Sequence, residues 1–143
     1  MFLVGFPLLI IPFAIYNMIA FLLPGIGWSQ EIIRVPLMSG ADWSCTPGEL
    51  LVAFAAIVLW FEILKAMRIN PRSIIDHLLS TLLFLGMTAE FLLVKEAASG
   101  TFFLLLVISF VDVVAGFTMI RIAPRPVIVD AAAPGAPPVN AQV

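Results

Sequence analysis

Apolar positions in this chain gather into four long runs, Phe2–Leu23, Pro47–Met67, Pro71–Val94 and Thr101–Ile122, separated by Pro, Gly and charged residues. Each run approaches the roughly 20 residues with which an α-helix crosses a hydrocarbon core. A bilayer interior offers no water to backbone N–H and C=O groups, so such runs must satisfy them internally, as helices. The strict alternation that a membrane-spanning strand requires is absent. The pattern predicts an all-α integral membrane protein with four transmembrane helices in a small bundle. The first run is read as a span and not a signal peptide, because no Lys or Arg precedes it and it exceeds the usual apolar region of such peptides. Pro7 and Pro12 lie inside it and predict a bent helix; Pro24-Gly25 ends it.

Local signals support the other boundaries. Thr46-Pro47-Gly48-Glu49 has the form of a capping box, with Pro at the first helical position and Glu49 as acceptor for the free N–H of the cap. Asn70 before Pro71 starts the third helix, and Ser99-Gly100 makes the turn into the fourth. Lys65, Arg68 and Arg72 surround the second connection, and Arg121 and Arg125 follow the fourth span, whereas the opposite side has Arg34 and Lys95. By the positive-inside rule both termini are expected in the cytoplasm, in a multi-pass protein of the cell membrane, a bacterial inner membrane or its equivalent. The one sizeable connection, residues 25–46, then lies outside. Trp28, Ile32 and Val35 share a helical face opposite Gln30, Glu31 and Arg34, which predicts a short surface helix ended by Pro36, packed in the interface and not acting as a lid. Residues 123–143, rich in Ala and Pro with Asp130 as their one charge, are expected to form a disordered tail.

Composition agrees with the membrane assignment. Apolar residues make up 62% and charged residues 11%, against roughly 45–50% and roughly 25% in soluble domains. A net charge of −2 gives no basic footprint for nucleic acid, so the expected partners are the lipid bilayer and other membrane chains, or further copies of this one. Cys45 is the single cysteine and His77 the single histidine, which excludes an internal disulfide and argues against a zinc site; no cofactor signature is present. Cys45 is either a small thiol beside a helix cap or, being on the outer side, a group able to pair with another chain.

The informative residues are polar ones within the spans, where a charge costs about 2.5–3.5 kcal/mol on insertion scales. Asp112 stands nine residues before Arg121, about 13–14 Å from the inner boundary and near the midplane. Ser109, Asp112 and Gly116 share one narrow face of polar and small residues, against which another helix should pack. On the third span, His77 and Thr81 lie on one stripe with Asp76 and Ser80 beside them, and Ser80 and Thr81 come level with Asp112. Glu62 on the second span falls near the level of His77. Glu62, His77 and Asp112 either line a path for protons or a cation, or act as interhelical glue, with Asp112 held by Ser80, Thr81 or His77 and Glu62 paired to Lys65, both reaching toward the surface. The second reading is preferred, because one His and two acids make no specific motif. Asp76 suits the positive end of the third helix, and Asn17 stands at a depth from which it can reach Glu90 or the loop. Glu90 itself is expected in a surface charge network with Lys95 and Glu96.

No phosphate loop, metalloprotease motif or nucleophile elbow occurs, so an enzyme is the weakest class. The expected function is a non-catalytic accessory subunit or homo-oligomer of a membrane complex. The alternative is a proton- or cation-translocating carrier or pore centred on Asp112, with His77 and Glu62.

Overall fold

In a computed structural model the chain is described over residues 6–66 and 73–122, the side chains of residues 73, 74 and 119–122 excepted. Four helices and a hairpin follow one another: α1 (Ile10–Leu22), β1 (Ile33–Pro36), β2 (Asp42–Cys45), α2 (Pro47–Ala66), α3 (Ser73–Leu93), a 3₁₀ turn (Lys95–Ala97) and α4 (Gly100–Ile122). Three of the helices, α2, α3 and α4, are long and apolar enough to cross a membrane. The expected cap at Asn70 and the expected tail 123–143 lie outside the described residues.

The first run differs from expectation. Its helix has 13 residues, about 20 Å at 1.5 Å per residue, which is short of a roughly 30 Å hydrocarbon core. Pro7 precedes it, in a turn closed by Ile10 N–H donating to the Pro7 carbonyl at 3.2 Å. Pro12 falls in the first helical turn, where a missing N–H interrupts little.

The four helices run alternately. Gly48 at the start of α2 meets Thr101 at the start of α4, whereas His77 near the start of α3 meets Gly116 near the end of α4. α4 packs along both α2 and α3, and α1 leans mainly on α2. Gly48 is required at its position: a Cβ there would collide with the Thr101 hydroxyl and come within 3.0 Å of the Trp28 carbonyl. The Thr46–Glu49 box closes in both directions, with Thr46 N–H donating to Glu49 Oε2 at 2.8 Å and Glu49 N–H to Thr46 Oγ1 at 3.2 Å.

The buried core combines Tyr16, Leu51, Ala55, Val58, Met87, Phe102 and Leu105. Tyr16 stacks on Trp28 with ring centroids 4.4 Å apart and meets the edge of Phe102 at 4.8 Å. Large apolar side chains such as Leu64, Leu78, Leu82, Leu92, Phe103 and Phe110 are exposed on the long helices.

The connection of residues 25–46 is not the short helix that the sequence predicted. It forms an antiparallel hairpin that pairs Ile33 with Cys45, Val35 with Trp43, Arg34 with Ser44 and Pro36 with Asp42. The β-branched Ile32, Ile33 and Val35 favour extended backbone, and Gly40, at φ 81°, supplies the left-handed residue of the turn. Period-two pairing thus overrides a weak helical face only two turns long. Cys45 is 2% exposed against the bundle, with its thiol directed at the Thr46 carbonyl, so it is not presented to another chain.

Candidate functional site

One end of the bundle collects the polar residues of α2, α3 and α4. Nothing in Phe6-Pro7-Leu8-Leu9 can cap α1, and its N-cap residue Leu9 makes no side-chain cap bond. The Ile10 and Ile11 amides of that helix donate to the Pro7 and Leu8 carbonyls, which leaves the Leu8 and Leu9 amides, just ahead of it, in need of an acceptor from elsewhere. Glu62, 4% exposed on α2, provides it: Oε1 accepts from Leu8 N–H and Oε2 from Leu9 N–H, both at 3.2 Å. Lys65, one turn on, donates to Glu62 Oε1 at 3.3 Å and to the Phe6 carbonyl at 3.0 Å. Its ammonium also stands 4.0 Å from Asp76 Oδ2 at the start of α3. One acid and one base thereby join three helices. The Glu62–Lys65 pair that the sequence predicted is present, but Glu62 is buried and does not reach the surface.

The second part of the site lies between α3 and α4. Ser109, Asp112 and Gly116 are all buried along one face of α4. Asp112, 7% exposed, has the Ser80 hydroxyl as its hydrogen-bonding neighbour and Glu62 as an electrostatic one. Gly116 receives the His77 imidazole so closely that a Cβ would collide with Nδ1. His77 is also an electrostatic neighbour of Asp76, Lys65 and Glu62. Thr81 joins in differently: its hydroxyl donates to the His77 carbonyl at 2.8 Å within its own helix, as Thr88 does to Phe84. Of the residues singled out from sequence, Glu62, His77, Ser80 and Asp112 are thus brought to one region, Ser109 and Gly116 line the packed face beside it, and Thr81 serves the backbone. Among the described residues no group of three or more His, Cys, Asp or Glu side chains converges as a metal site.

The opposite end has a second polar set. Tyr16 Oη donates to the Glu96 carbonyl at 2.9 Å and lies 2.7 Å from Ser99 Oγ, which accepts Phe102 N–H at 3.1 Å and so caps α4. Asn17 Nδ2 donates to Glu90 Oε2 at 3.4 Å, the contact that counting along the spans allowed. Glu90 Oε1 and Asn17 Oδ1 are buried without a hydrogen-bond partner, so Glu90 faces the α1 contact and not a surface network with Lys95 and Glu96.

Sequence reasoning missed the cap that Glu62 places on α1 and the anchoring role of Tyr16. The first had a legible signal, an uncapped helix start beside Pro7 together with a buried acid at a matching depth. Tyr16, the single tyrosine of the chain and with Asn17 a polar group of the first apolar run, was the signal for the second.

Family models, curated proteins and solved structures contain no match to this chain.

Proposed function

We propose that this chain is a small, non-catalytic, multi-pass protein of the cell membrane that works by helix packing, as an accessory subunit or homo-oligomer of a membrane complex. The observation that carries the reading is the use made of Glu62. Both carboxylate oxygens are taken up by the amides of Leu8 and Leu9 in the turn that leads into α1, and the adjoining Lys65 ties the same place to Asp76. An intramembrane acid is a functional candidate by default, but one engaged in this way holds helices together. The exposed apolar flank of the short α1, with Ile11, Met18 and Phe21, asks for cover by lipid or by a neighbouring chain. The end that carries Lys65 is assigned to the cytoplasm, and the hairpin to the outside, by the surplus of Lys and Arg at that end. No nucleic acid, cofactor or metal enters the reading.

The test is the native mass of the protein after gentle extraction from its own membrane. A stoichiometric companion or a defined homo-oligomer is expected; a lone monomer that retains its cellular role would contradict the proposal.

A second reading, a proton or cation carrier centred on Asp112 with His77 and Glu62, is favoured by one observation. Asp112 and Glu62 are electrostatic neighbours, so two carboxylates share one buried region. Vesicle flux separates it from the first.

A further inference from the structure

The hairpin has two faces of opposite character. Its register places Ile33, Val35, Trp43 and Cys45 on one side and Arg34, Pro36, Asp42 and Ser44 on the other. On the polar side Arg34 donates to Glu31 at 2.6 Å, and that ion pair is open to water. On the apolar side only Cys45 is covered by the bundle. Ile33, Val35 and Trp43 run outward from it, with Trp43 50% exposed, and Leu37 and Met38 at the tip are exposed as well.

A lone two-stranded hairpin is marginal in water, and an uncovered apolar face makes it more so. We propose that the apolar face of β1–β2 is a lipid-docking surface, seated on the outer interface of the bilayer with Trp43 among the upper acyl chains. Three features commit the surface to lipid. The face starts one residue before the Thr46 cap of α2, the level at which a spanning helix leaves hydrocarbon. The first turns of that helix are themselves apolar on their exposed side, with Leu50 and Phe54. The opposite face keeps Glu31, Arg34 and Asp42 for water, the two-sided character of an interfacial element, and Trp is a residue of that interface. The unpaired edges of the two strands also set the depth, because open N–H and C=O groups cannot enter the hydrocarbon core.

This inference rests on the membrane reading above, and one experiment separates the two. The full chain is reconstituted in phosphatidylcholine vesicles as two variants. Trp28→Phe/Trp60→Phe retains Trp43 as the single tryptophan, and Trp28→Phe/Trp43→Phe retains Trp60, which is 58% exposed on α2. Emission is read against phosphatidylcholine brominated near the glycerol end or near the methyl end of an acyl chain, and against aqueous iodide. The expected result is loss of most Trp43 emission with bromine near the glycerol end, little loss with bromine near the methyl end, and little loss with iodide. Trp43 quenched by iodide alone, or by neither agent because a protein surface covers it, would overturn the proposal. Trp60 reports the bundle: quenching of Trp60 without Trp43 overturns the docking surface alone, and bromolipid quenching of neither overturns the membrane reading as well. Should either double variant fail to reach wild-type helix content, the difference in quenching between wild type and Trp43→Phe gives the same readout with Trp28 and Trp60 in place.

Discussion

Glu62 Oε2 accepts the backbone N–H of Leu9 at 3.2 Å across 53 positions of sequence. The turn that leads into a helix without a side-chain cap of its own is held by a carboxylate borrowed from another helix. The negative charge sits at the positive end of α1, where the macrodipole favours it, and Lys65 compensates it from one turn away. The polar cluster is thus assembled around the way in which α1 joins the bundle.

Glu62→Ala removes the acceptor for the part-buried Leu8 amide and the buried Leu9 amide and leaves Lys65 without its nearest carboxylate. The expected loss is about 1–3 kcal/mol, the cost of leaving buried groups unsatisfied. Glu62→Gln keeps an acceptor oxygen and should recover part of that loss. Unfolding in mixed micelles with rising denaturing detergent measures both, and equal midpoints for Glu62→Ala and wild type would remove the cap from the account.

Gly116→Ala drives a methyl group into the His77 imidazole. Separation of α3 from α4 should destabilise the bundle by about 1–3 kcal/mol, the range for overpacking a filled site. His77→Ala in the same chain should restore much of the stability, because it reopens the space. A double-mutant cycle on unfolding midpoints reads the coupling directly.

Tyr16→Phe keeps the stack on Trp28 and loses the bonds to the Glu96 carbonyl and to Ser99. About 0.5–1.5 kcal/mol of stability should disappear, the net worth of a hydrogen bond, while the near-ultraviolet circular dichroism of the stacked rings persists. Loss of that signal would mean that the hydroxyl, and not the ring, positions Trp28.

The hairpin carries a pH dependence of defined sign. The Arg34 guanidinium, by hydrogen bond and by charge, holds the Glu31 carboxyl below its ordinary value of 4.5, with a smaller contribution from Ser44. A carboxyl depressed in the folded state stabilises above its unfolded value, and that stabilisation fades as pH falls through the lower folded value. The contribution is therefore complete at neutral pH and lost only under acid conditions. Arg34→Gln should raise the Glu31 midpoint toward 4.5, and added salt should do so in part, since the pair is exposed. Carboxyl carbon chemical shifts followed through an acid titration measure the midpoint.

Several features were legible in the chain because they depend on spacing within one element. The starts of α2 and α4 follow from cap and turn residues, and the Glu62–Lys65 pair and the face shared by Ser109, Asp112 and Gly116 follow from helical periodicity. Other features were hidden because they depend on two elements meeting. Neither α1 nor α2 alone reveals that Leu8 and Leu9 borrow Glu62, and Lys65 reaches Asp76 only once α3 is in place. In residues 28–36 helical and extended periods competed over too few positions, and pairing with Asp42–Cys45, a long-range contact, decided for the strand. Among the described residues the helix of the first run begins later than the apolar run, because Pro7, Leu8 and Leu9 form a turn ahead of Ile10.

The central claim is that the buried acids hold helices together and do not carry ions. Proton and cation flux into vesicles that contain the purified chain, with wild type and Asp112→Asn compared under an imposed gradient, tests it most directly. The account predicts that both preparations match empty vesicles. Flux through the wild-type chain that Asp112→Asn abolishes, with folding intact, would contradict it and make Asp112 part of a path.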